Sequence, residues 1–231
     1  MENDLMNITQ EFGEDVPTDR LSSMPNVQSE KPRRKSPSRV TSVNTRDAIV
    51  AAAVSAFYDN GYHGTAIREI ASRADLSLSA LYHYFASKQE LLAGIIDGFM
   101  VESVRVIDAA VQSAGADPGA RLRAAARTQV HRNATNIALS FITNSEIRSL
   151  EGANQLRHIG HRDQIQALFD DAVMDGRKQR LFDVTYPKEA SRAIVTMCTA
   201  VATWYRPTGP LTPDEVADRY GEYALNLVNA S

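Results

Sequence analysis

The segment from Thr65 to Lys88 constrains the fold of this chain more than any other, because its pattern predicts two short helices joined by a tight turn. Ile67 and Ile70 recur at helical spacing in the first half. The run 74–76, Ala-Asp-Leu, supplies the turn, and Ser77 stands where the N-cap of the second helix belongs. So short a connection predicts a helix-turn-helix unit, whose second helix enters the major groove of DNA.

The second predicted helix has a small apolar face and a larger polar one. Leu81 and Phe85, four residues apart, bury its inner face. The outer face carries side chains that can reach base edges, a thymine methyl group or a phosphate, namely Leu78, Ser79, Tyr82, His83 and Tyr84. The alternative is an ordinary helical hairpin with an aromatic core edge, but three consecutive polar-tipped rings do not all face one core.

A wider pattern surrounds this unit. The run from Ile49 to Ile95 resembles the N-terminal domain of TetR-family transcriptional regulators through Ala52-Ala53, Phe57, Gly61-Tyr62, Thr65, Ile70-Ala71, Leu81-Tyr82-His83-Tyr84-Phe85, Ser87-Lys88 and Leu91-Leu92. The resemblance implies an all-α homodimer with a three-helix DNA-binding domain. It also implies a larger helical domain that binds a small effector and releases operator DNA.

The resemblance further implies which residues contact DNA. Seven fall on positions that face bases or nearby phosphates, namely Arg68, Ser77, Leu78, Ser79, Ala80, Tyr82 and His83. Three fall on positions that contact the DNA backbone, namely Thr65, Tyr84 and Lys88. Leu78 departs from the family pattern, because many relatives carry a polar or basic side chain there. We therefore expect Leu78 to make an apolar contact with thymine.

The net charge of -3 conceals a strong asymmetry along the chain. Residues 1–30 hold seven acidic residues and one basic residue, whereas residues 31–91 hold nine basic residues and five acidic ones. A basic segment centred on the helix-turn-helix is what the neutralisation of DNA phosphates requires. It predicts a DNA affinity that falls steeply as salt rises.

Residues 1–43 contain four prolines and no sustained period, which predicts a disordered tail. Within the tail lies a basic arm at residues 31–39, whose DNA-binding candidates are Arg33, Arg34, Lys35 and Arg39. This arm either follows the DNA backbone or enters the minor groove, or it merely keeps the chain in solution. The sequence leaves both interpretations open.

The predicted fold class is all-α, with about nine helices in two ordered domains. A helix-turn-helix DNA-binding domain spans residues 44–91, and its first helix starts at Asn44 or Thr45 and ends at Gly61. A larger helical domain for effector binding and dimerisation spans residues 92–231. A capping box at residues 87–90 starts the helix that links the domains. Later helices are predicted at 136–150, 154–176, 187–205 and 213–229, with Pro187 and Pro213 in first turns and a capping box at Thr212.

The composition limits where the protein works. The single cysteine, Cys198, rules out an internal disulfide framework and suits a reducing compartment. No stretch is long and apolar enough to span a bilayer, and the N-terminus lacks the pattern of a signal peptide. We therefore expect a cytoplasmic protein.

The sequence favours neither an enzyme nor a cofactor. It contains no nucleophile elbow, P-loop, dinucleotide fingerprint or metalloprotease motif. A metal-dependent enzyme built on His158, His161 and Glu151 is a remote alternative, because two histidines three residues apart are a weak metal signal. A helical adaptor that does not bind DNA is another, and it leaves the Arg68, Tyr82, Tyr84 and Lys88 arrangement unexplained.

Two amphipathic stripes lie at the end of the chain. The penultimate helix presents Ile194, Met197, Val201 and Trp204 three and four residues apart. The last helix presents Val216, Tyr220, Tyr223 or Ala224, and Leu227. These stripes could form intramolecular core. The resemblance implies instead that the last two helices pair with their two-fold mates as a four-helix interface. Such a homodimer places two helix-turn-helix units about one DNA turn apart on a near-palindromic operator.

The C-terminal half is loosely similar to a TetR subgroup that responds to acyl-coenzyme A thioesters of lipid, aromatic or steroid catabolism, through residues 146–150, 157–162 and 204–207. An acyl chain needs an apolar tunnel, and phosphates need Arg or Lys. The ligand-binding candidates are Phe141, Arg148, Arg162, Phe169, Met197 and Trp204, with Arg157 as a further cation. The alternative is a regulator of efflux or another system with a non-CoA hydrophobic ligand. In either case we expect ligand binding to change the tilt of the helix at residues 87–114.

Overall fold

The computed structural model describes the backbone of residues 39–230 and the side chains of residues 45–230. The helices in this part are α1 (Arg39–Gly64), α2 (Ile67–Arg73), α3 (Leu78–Tyr84), α4 (Lys88–Ser113), α5 (Pro118–Thr135), α6 (Ile137–Ser145), a 3-10 helix (Glu146–Ser149), α7 (Gly152–Lys178), α8 (Pro187–Trp204) and α9 (Pro213–Leu227). An isolated β-bridge joins Phe182 to Ala230. The all-α fold class is confirmed, whereas the side chains of Arg33, Arg34, Lys35 and Arg39 lie outside the described residues.

Helix α1 begins earlier than the capping pattern indicated. Its first residue is Arg39, not Asn44 or Thr45, so the helix includes residues 39–43, which had been assigned to the tail. The helix is broken at Gly61, whose φ of 72° is left-handed, and it resumes through Gly64. Glycine allows this break because left-handed backbone is unfavourable for a residue with a Cβ atom. At this break the backbone N–H of Tyr62 forms its hydrogen bond with a side chain outside the helix.

The helix-turn-helix consists of α2 and α3. Between these helices Asp75 adopts a φ of 54°, which turns the chain. The Ser77 hydroxyl accepts a hydrogen bond from the backbone N–H of Ala80 at 3.1 Å and so caps α3. Leu81 and Phe85 are buried on the inner face of α3. The predicted turn, N-cap and inner face are confirmed.

Helix α4 links the helix-turn-helix to the larger group of helices. The Ser87 hydroxyl accepts a hydrogen bond from the backbone N–H of Glu90 at 3.0 Å, as predicted. The Glu90 carboxylate does not return a bond to Ser87; it accepts one from the backbone N–H of Ala86 at 2.8 Å. The N-cap is therefore confirmed, and the reciprocal half of the capping box is shifted by one residue. Leu91 and Val111, near the two ends of α4, are both buried, so the helix packs along its length.

The other predicted helices are present with shifted ends. The helix expected at 136–150 divides into α6 and the 3-10 helix, a tightening that is common at helix C-termini. Helix α7 exceeds the predicted range 154–176 by two residues at each end, and α8 and α9 stop at Trp204 and Leu227. The capping box between Thr212 and Glu215 is complete, and Pro213 occupies the first turn.

Helix α5 is central to the larger group and contacts α4, α7, α8 and α9. Ion pairs from Arg123 to Glu222 and from Arg127 to Asp218 join α5 to α9. Cys198 is fully buried in α8, and burial raises the pKa of its thiol, so this cysteine is a core residue. None of the described helices has the length and hydropathy needed to cross a lipid bilayer.

Candidate DNA-binding face and effector cavity

The outer face of α3 carries most of the residues expected to contact bases. Leu78 and Tyr82 are 40% and 46% exposed, so both side chains project into solvent. The exposed residues around them are Arg68, Ser77, Ser79 and His83, and Ala80 is half-buried. These side chains can approach a duplex without displacing any core residue. Contact with DNA stays a prediction for each of them.

Two of the residues expected to contact the DNA backbone, Thr65 and Lys88, form hydrogen bonds within the protein. Thr65 is 1% exposed, and its hydroxyl donates to the backbone oxygens of Ala56 at 3.0 Å and Gly61 at 2.8 Å. The Lys88 ammonium donates to the backbone oxygens of Tyr62 at 2.7 Å and Thr65 at 2.8 Å. It also lies 4.2 Å from the centre of the Tyr62 ring. Thr65 therefore fixes the segment that follows α1 to that helix, and Lys88 holds the end of α1 against α4.

Two further arginines of the DNA-binding head (residues 45–91), Arg73 and Arg46, differ in whether a carboxylate pairs with them. Arg73 is paired with Asp59 at 2.7 Å and with Glu69 at 2.8 Å, so its charge is largely neutralised. Arg46 lies over the Phe85 ring at 5.1 Å and is exposed, and no pattern in the sequence indicated this contact. Tyr84 is half-buried with its ring 5.7 Å from that of His83.

A cavity of about 430 Å³ lies among α4, α5, α6, α7 and α8. Its volume falls within the usual range for small-molecule sites. Its lining residues are Phe99, Met100, Ser103, Ile107, Gln129, Arg132, Asn133, Ser140, Thr143, Asn144, His158, Ile159, Arg162, Asp163, Ile165, Gln166, Arg192, Val195, Thr196 and Thr199. The lining is more polar than the apolar tunnel expected from the sequence.

Three deeply buried polar atoms of this lining lack a hydrogen-bond partner among the residues that the structure describes. They are Gln129 Oε1, Thr143 Oγ1 and His158 Nδ1. Their side chains belong to three different helices, and each residue is at most 8% exposed. Buried polar groups are nearly always bonded, so a cluster of unpartnered ones on one cavity indicates a ligand site.

Arg132 adds a cation to the cavity wall. Its Nε donates to Ser103 Oγ at 2.7 Å, one terminal nitrogen donates to the Phe99 carbonyl at 3.0 Å, and the guanidinium lies 4.5 Å from the centre of the Phe99 ring. No carboxylate within the described part of the chain forms an ion pair with it. Burial, the largest effect, lowers the pKa of Arg132, but the group stays charged at neutral pH.

His158 is buried against the cavity. Burial, followed by the nearby Arg162 and His161, lowers the pKa of His158 to about 4, so the ring is neutral near pH 7. His161 instead faces Asp97, at 3.2 Å. Between residues 45 and 230, no group of three His, Cys, Asp or Glu side chains is arranged to hold a metal ion.

Of the six ligand-binding candidates, only Arg162 lines this cavity. Phe169 is fully buried in the core, and Phe141 packs edge-on against Tyr58 at 5.5 Å. Trp204 is stacked on Tyr220, and Met197 is half-buried on α8. The remaining cations point elsewhere, because Arg148 is exposed on the 3-10 helix and Arg157 lies 3.8 Å from Asp97. Spacing along one helix does not reveal which face its neighbours cover.

Three polar residues of the cavity wall that were not predicted from the sequence lie about one turn apart on α5. Gln129, Arg132 and Asn133 interrupt the otherwise alanine-rich face of α5 at positions i, i+3 and i+4. Large polar residues at that spacing share one face of a helix. That pattern was the available signal for a polar cavity.

Helix α6 joins the cavity to the DNA-binding head. Its residues Ser140, Thr143 and Asn144 line the cavity, and the 3-10 helix follows directly. There the Glu146 carboxylate accepts a hydrogen bond from the backbone N–H of Tyr62 at 3.2 Å. Ser149 contributes its carbonyl oxygen, which accepts from Gln89 Nε2 at 2.8 Å. The head is thus held at α1 and at α4 by one short segment.

Two family models match the chain. Residues 49–95 match the bacterial regulatory proteins of the tetR family, and residues 115–228 match the tetracyclin repressor-like C-terminal domain. The chain therefore belongs to the TetR family of DNA-binding transcriptional regulators. It is a ligand-responsive repressor that acts on operator DNA and not an enzyme.

Curated relatives and solved structures agree with this assignment. The HTH-type transcriptional repressor KstR2 of Mycobacterium tuberculosis H37Rv is 26% identical over 181 residues, covering 76% of this chain and 88% of KstR2. The TetR-family regulator PfmR of Thermus thermophilus is 29% identical with a TM-score of 0.68, covering 77% of this chain and 97% of PfmR. AibR, solved in complex with isovaleryl coenzyme A and operator DNA, shares the fold at 24% identity with a TM-score of 0.72, covering 81% of this chain and all of AibR (100%).

Proposed function

We propose that this protein binds a near-palindromic operator as a homodimer and releases it when a small molecule occupies the cavity among α4–α8. The observation that carries the proposal is the continuity of α6 with the 3-10 helix. One end of this segment lines the cavity with Thr143, and the other bonds the DNA-binding head through Glu146. A ligand that moves α6 therefore acts on the head directly.

In this proposal the outer face of α3 reads DNA in the cytoplasm. Ser77, Ser79 and Tyr82 approach base edges and nearby phosphates, and Leu78 packs on a thymine methyl group. Arg68 and the basic arm at residues 31–39 neutralise phosphates. Thr65 and Lys88 contribute by fixing the head, because their polar atoms are bonded to α1.

The homodimer forms through the outer faces of α8 and α9. Trp204, Tyr223 and Leu227 are 45%, 52% and 39% exposed, while the inner face of α9 packs on α5. Large exposed rings clustered on two neighbouring helices are typical of a protein–protein interface. A two-fold axis through this surface places two α3 helices on successive major grooves.

The effector class that we favour is an acyl-coenzyme A thioester. Arg162 and Arg192 are exposed where they line the cavity, so they can hold phosphates outside while the acyl group enters. One similar structure supports this class, because AibR was solved with isovaleryl coenzyme A. KstR2 is described as a ketosteroid transcriptional regulator, which supports a hydrophobic ligand with or without coenzyme A. A hydrophobic ligand without coenzyme A is the second candidate, because the cavity also has apolar walls.

The switch depends on two helices. Occupation of the cavity displaces α4 through Phe99 and Met100, and α6 through Thr143, so that the heads lose operator spacing. A coupling of about 1 to 3 kcal/mol, or roughly 5- to 150-fold in DNA affinity, is typical of such linkage.

The test is fluorescence anisotropy with DNA that flanks the protein's own gene, across a salt series, with and without a panel of CoA thioesters. We expect salt-dependent binding that at least one thioester weakens. Tyr82→Ala should reduce affinity about tenfold or more without changing the circular dichroism spectrum. Tyr186→Ala is the matched control, because Tyr186 is 70% exposed at the start of α8. Binding that no thioester weakens would remove this effector class and keep the DNA-binding role.

A further inference from the structure

The cavity wall formed by α5 specifies two hydrogen bonds to its occupant. The first comes from Gln129. Its Nε2 donates to Thr199 Oγ1 at 2.8 Å, and the Thr199 hydroxyl in turn donates to the Val195 carbonyl at 2.8 Å. Since the hydrogen of Thr199 is used, Thr199 accepts, and this fixes the orientation of the Gln129 amide. Gln129 Oε1 is therefore a buried acceptor that needs a donor.

The second specified bond comes from Arg132. A guanidinium has five N–H groups, and the bonds to Ser103 and Phe99 engage only Nε and one terminal nitrogen. The other terminal nitrogen has no bond to any residue that the structure describes. A half-buried cation without a carboxylate favours an acceptor oxygen, and an anionic oxygen most of all.

The spacing of these two groups defines the ligand. Gln129 and Arg132 are three residues apart on α5, so their Cβ atoms lie about 5–6 Å apart on one face. Because both side chains line the cavity from one face of α5, a ligand that meets both carries an acceptor oxygen and a hydroxyl donor near one another. The apolar part of the lining, including Phe99, Met100, Ile107 and Ile165, receives a hydrocarbon chain.

We propose that the cavity binds a 3-hydroxyacyl group, with its acyl oxygen against Arg132 and its hydroxyl donating to Gln129 Oε1. This inference rests on the proposed function, because it names the ligand of the same cavity. Thr143 Oγ1 on α6 and His158 Nδ1 on α7 are further unpartnered polar atoms of residues that line the cavity. A plain fatty acyl chain leaves Gln129 unpartnered and is the weaker ligand.

Isothermal titration calorimetry of the full chain tests the proposal with three probes of equal chain length: decan-1-ol, decanoate and 3-hydroxydecanoate. We expect decanoate to bind about tenfold or more tightly than decan-1-ol, since only the acid offers a charged acceptor. We expect 3-hydroxydecanoate to bind about 3- to 10-fold more tightly than decanoate, because its hydroxyl satisfies Gln129. The same comparison between decanoyl-CoA and 3-hydroxydecanoyl-CoA shows whether the free acid or the thioester is the natural source.

Two variants assign the preferences to residues. Arg132→Gln should remove the preference for the acid over the alcohol, and Gln129→Leu should remove only the preference for the hydroxyl. Arg177→Gln, which changes an exposed arginine outside the cavity, should keep both. If either cavity variant fails to fold, the order of the three probes on the unaltered protein still decides.

The outcomes separate this inference from the proposed function. Equal affinities for the three probes, no binding of any probe, or a hydroxyl preference that survives in Gln129→Leu would overturn the inference. Release of operator DNA by decanoyl-CoA as readily as by 3-hydroxydecanoyl-CoA would also overturn it while leaving the effector role in place. The expected order of affinities without release of operator DNA would support the inference and overturn the effector role.

Discussion

The Glu146 carboxylate accepts a hydrogen bond from the backbone N–H of Tyr62 across 84 residues of chain. The bond joins the end of α6 to the point where Gly61 breaks α1. Ser149 reinforces Glu146, because its hydroxyl donates to the other carboxylate oxygen at 2.7 Å. The cavity among α4–α8 and the DNA-binding head are therefore joined by a directional contact as well as by α4.

Glu146→Ala should uncouple the effector from operator release. Loss of the acceptor leaves the Tyr62 N–H without its partner and frees the head from α6, so saturating effector should weaken DNA binding several-fold less than in the unaltered protein. Anisotropy titrations with and without effector measure this ratio. Glu189→Ala, an exposed carboxylate on α8, is the control. An unchanged ratio in Glu146→Ala would assign the coupling to α4 alone.

Lys88→Gln should lower the stability of the protein, whereas Arg68→Gln should change the salt dependence of its DNA affinity. Lys88 bonds two backbone oxygens, so its replacement should lower the free energy of unfolding by about 1–3 kcal/mol. Arg68 is exposed, so its replacement should leave stability unchanged and reduce the slope of log affinity against log salt by about 1. Urea denaturation and a salt series provide the two measurements. A reduced salt slope in Lys88→Gln with normal stability would contradict this prediction and support Lys88 as a phosphate contact.

His158 should make the protein less stable as pH falls from about 6.5 towards 4. The pKa of His158 is about 4 in the folded chain, below the ordinary value of 6.5, so the unfolded chain takes up a proton in this range and the folded chain does not. The loss is up to about 3 kcal/mol, since one pKa unit corresponds to about 1.4 kcal/mol. Denaturation at several pH values should show a flatter profile in His158→Gln. If stability fell equally with pH in the unaltered protein and in His158→Gln, the prediction would be wrong.

Tyr223→Glu should produce monomers. Burial of a charged side chain at the proposed α8–α9 interface is unfavourable, whereas the same surface on a free monomer tolerates it. Sedimentation velocity should show the change of mass, with operator affinity reduced because one head binds alone. Val101→Glu, at an exposed position on α4, should leave the dimer intact. A dimeric Tyr223→Glu would place the interface elsewhere.

Two glycines of α7 should respond oppositely to alanine. A Cβ atom on Gly176 would overlap the buried ring of Phe182, so Gly176→Ala should lower the free energy of unfolding by about 1–3 kcal/mol. A Cβ atom on Gly160 meets nothing within 4 Å, so Gly160→Ala should raise it by about 0.5–1 kcal/mol through helix propensity. Thermal denaturation of the pair measures both. Similar shifts in the two variants would contradict the packing of Phe182 on α7.

The sequence by itself determined the elements whose causes are local. The Ser77 cap, the turn at Asp75 and the capping box at Thr212 each depend on residues within four positions of one another, and the structure has them where the pattern placed them. Coupled positions within residues 49–95 also determined the family. The start of α1 at Arg39 was not predicted, because Asn44 and Thr45 are both residue types that commonly cap a helix N-terminus.

Only the tertiary structure decided which polar groups face inward. Thr65 and Lys88 occupy positions expected to contact DNA, yet the Thr65 hydroxyl bonds to the Ala56 carbonyl and the Lys88 ammonium bonds to the Tyr62 carbonyl, both in α1. Packing of the chain brings these oxygens within reach. Phe169, which was expected to bind the ligand, lies in the core. Gln129 and Arg132, which were not predicted from the sequence, line the cavity. The physical reason is distance along the chain. A cap is made within one turn, but a cavity wall and the bond from Tyr62 to Glu146 exist only after helices that are distant along the chain have packed together.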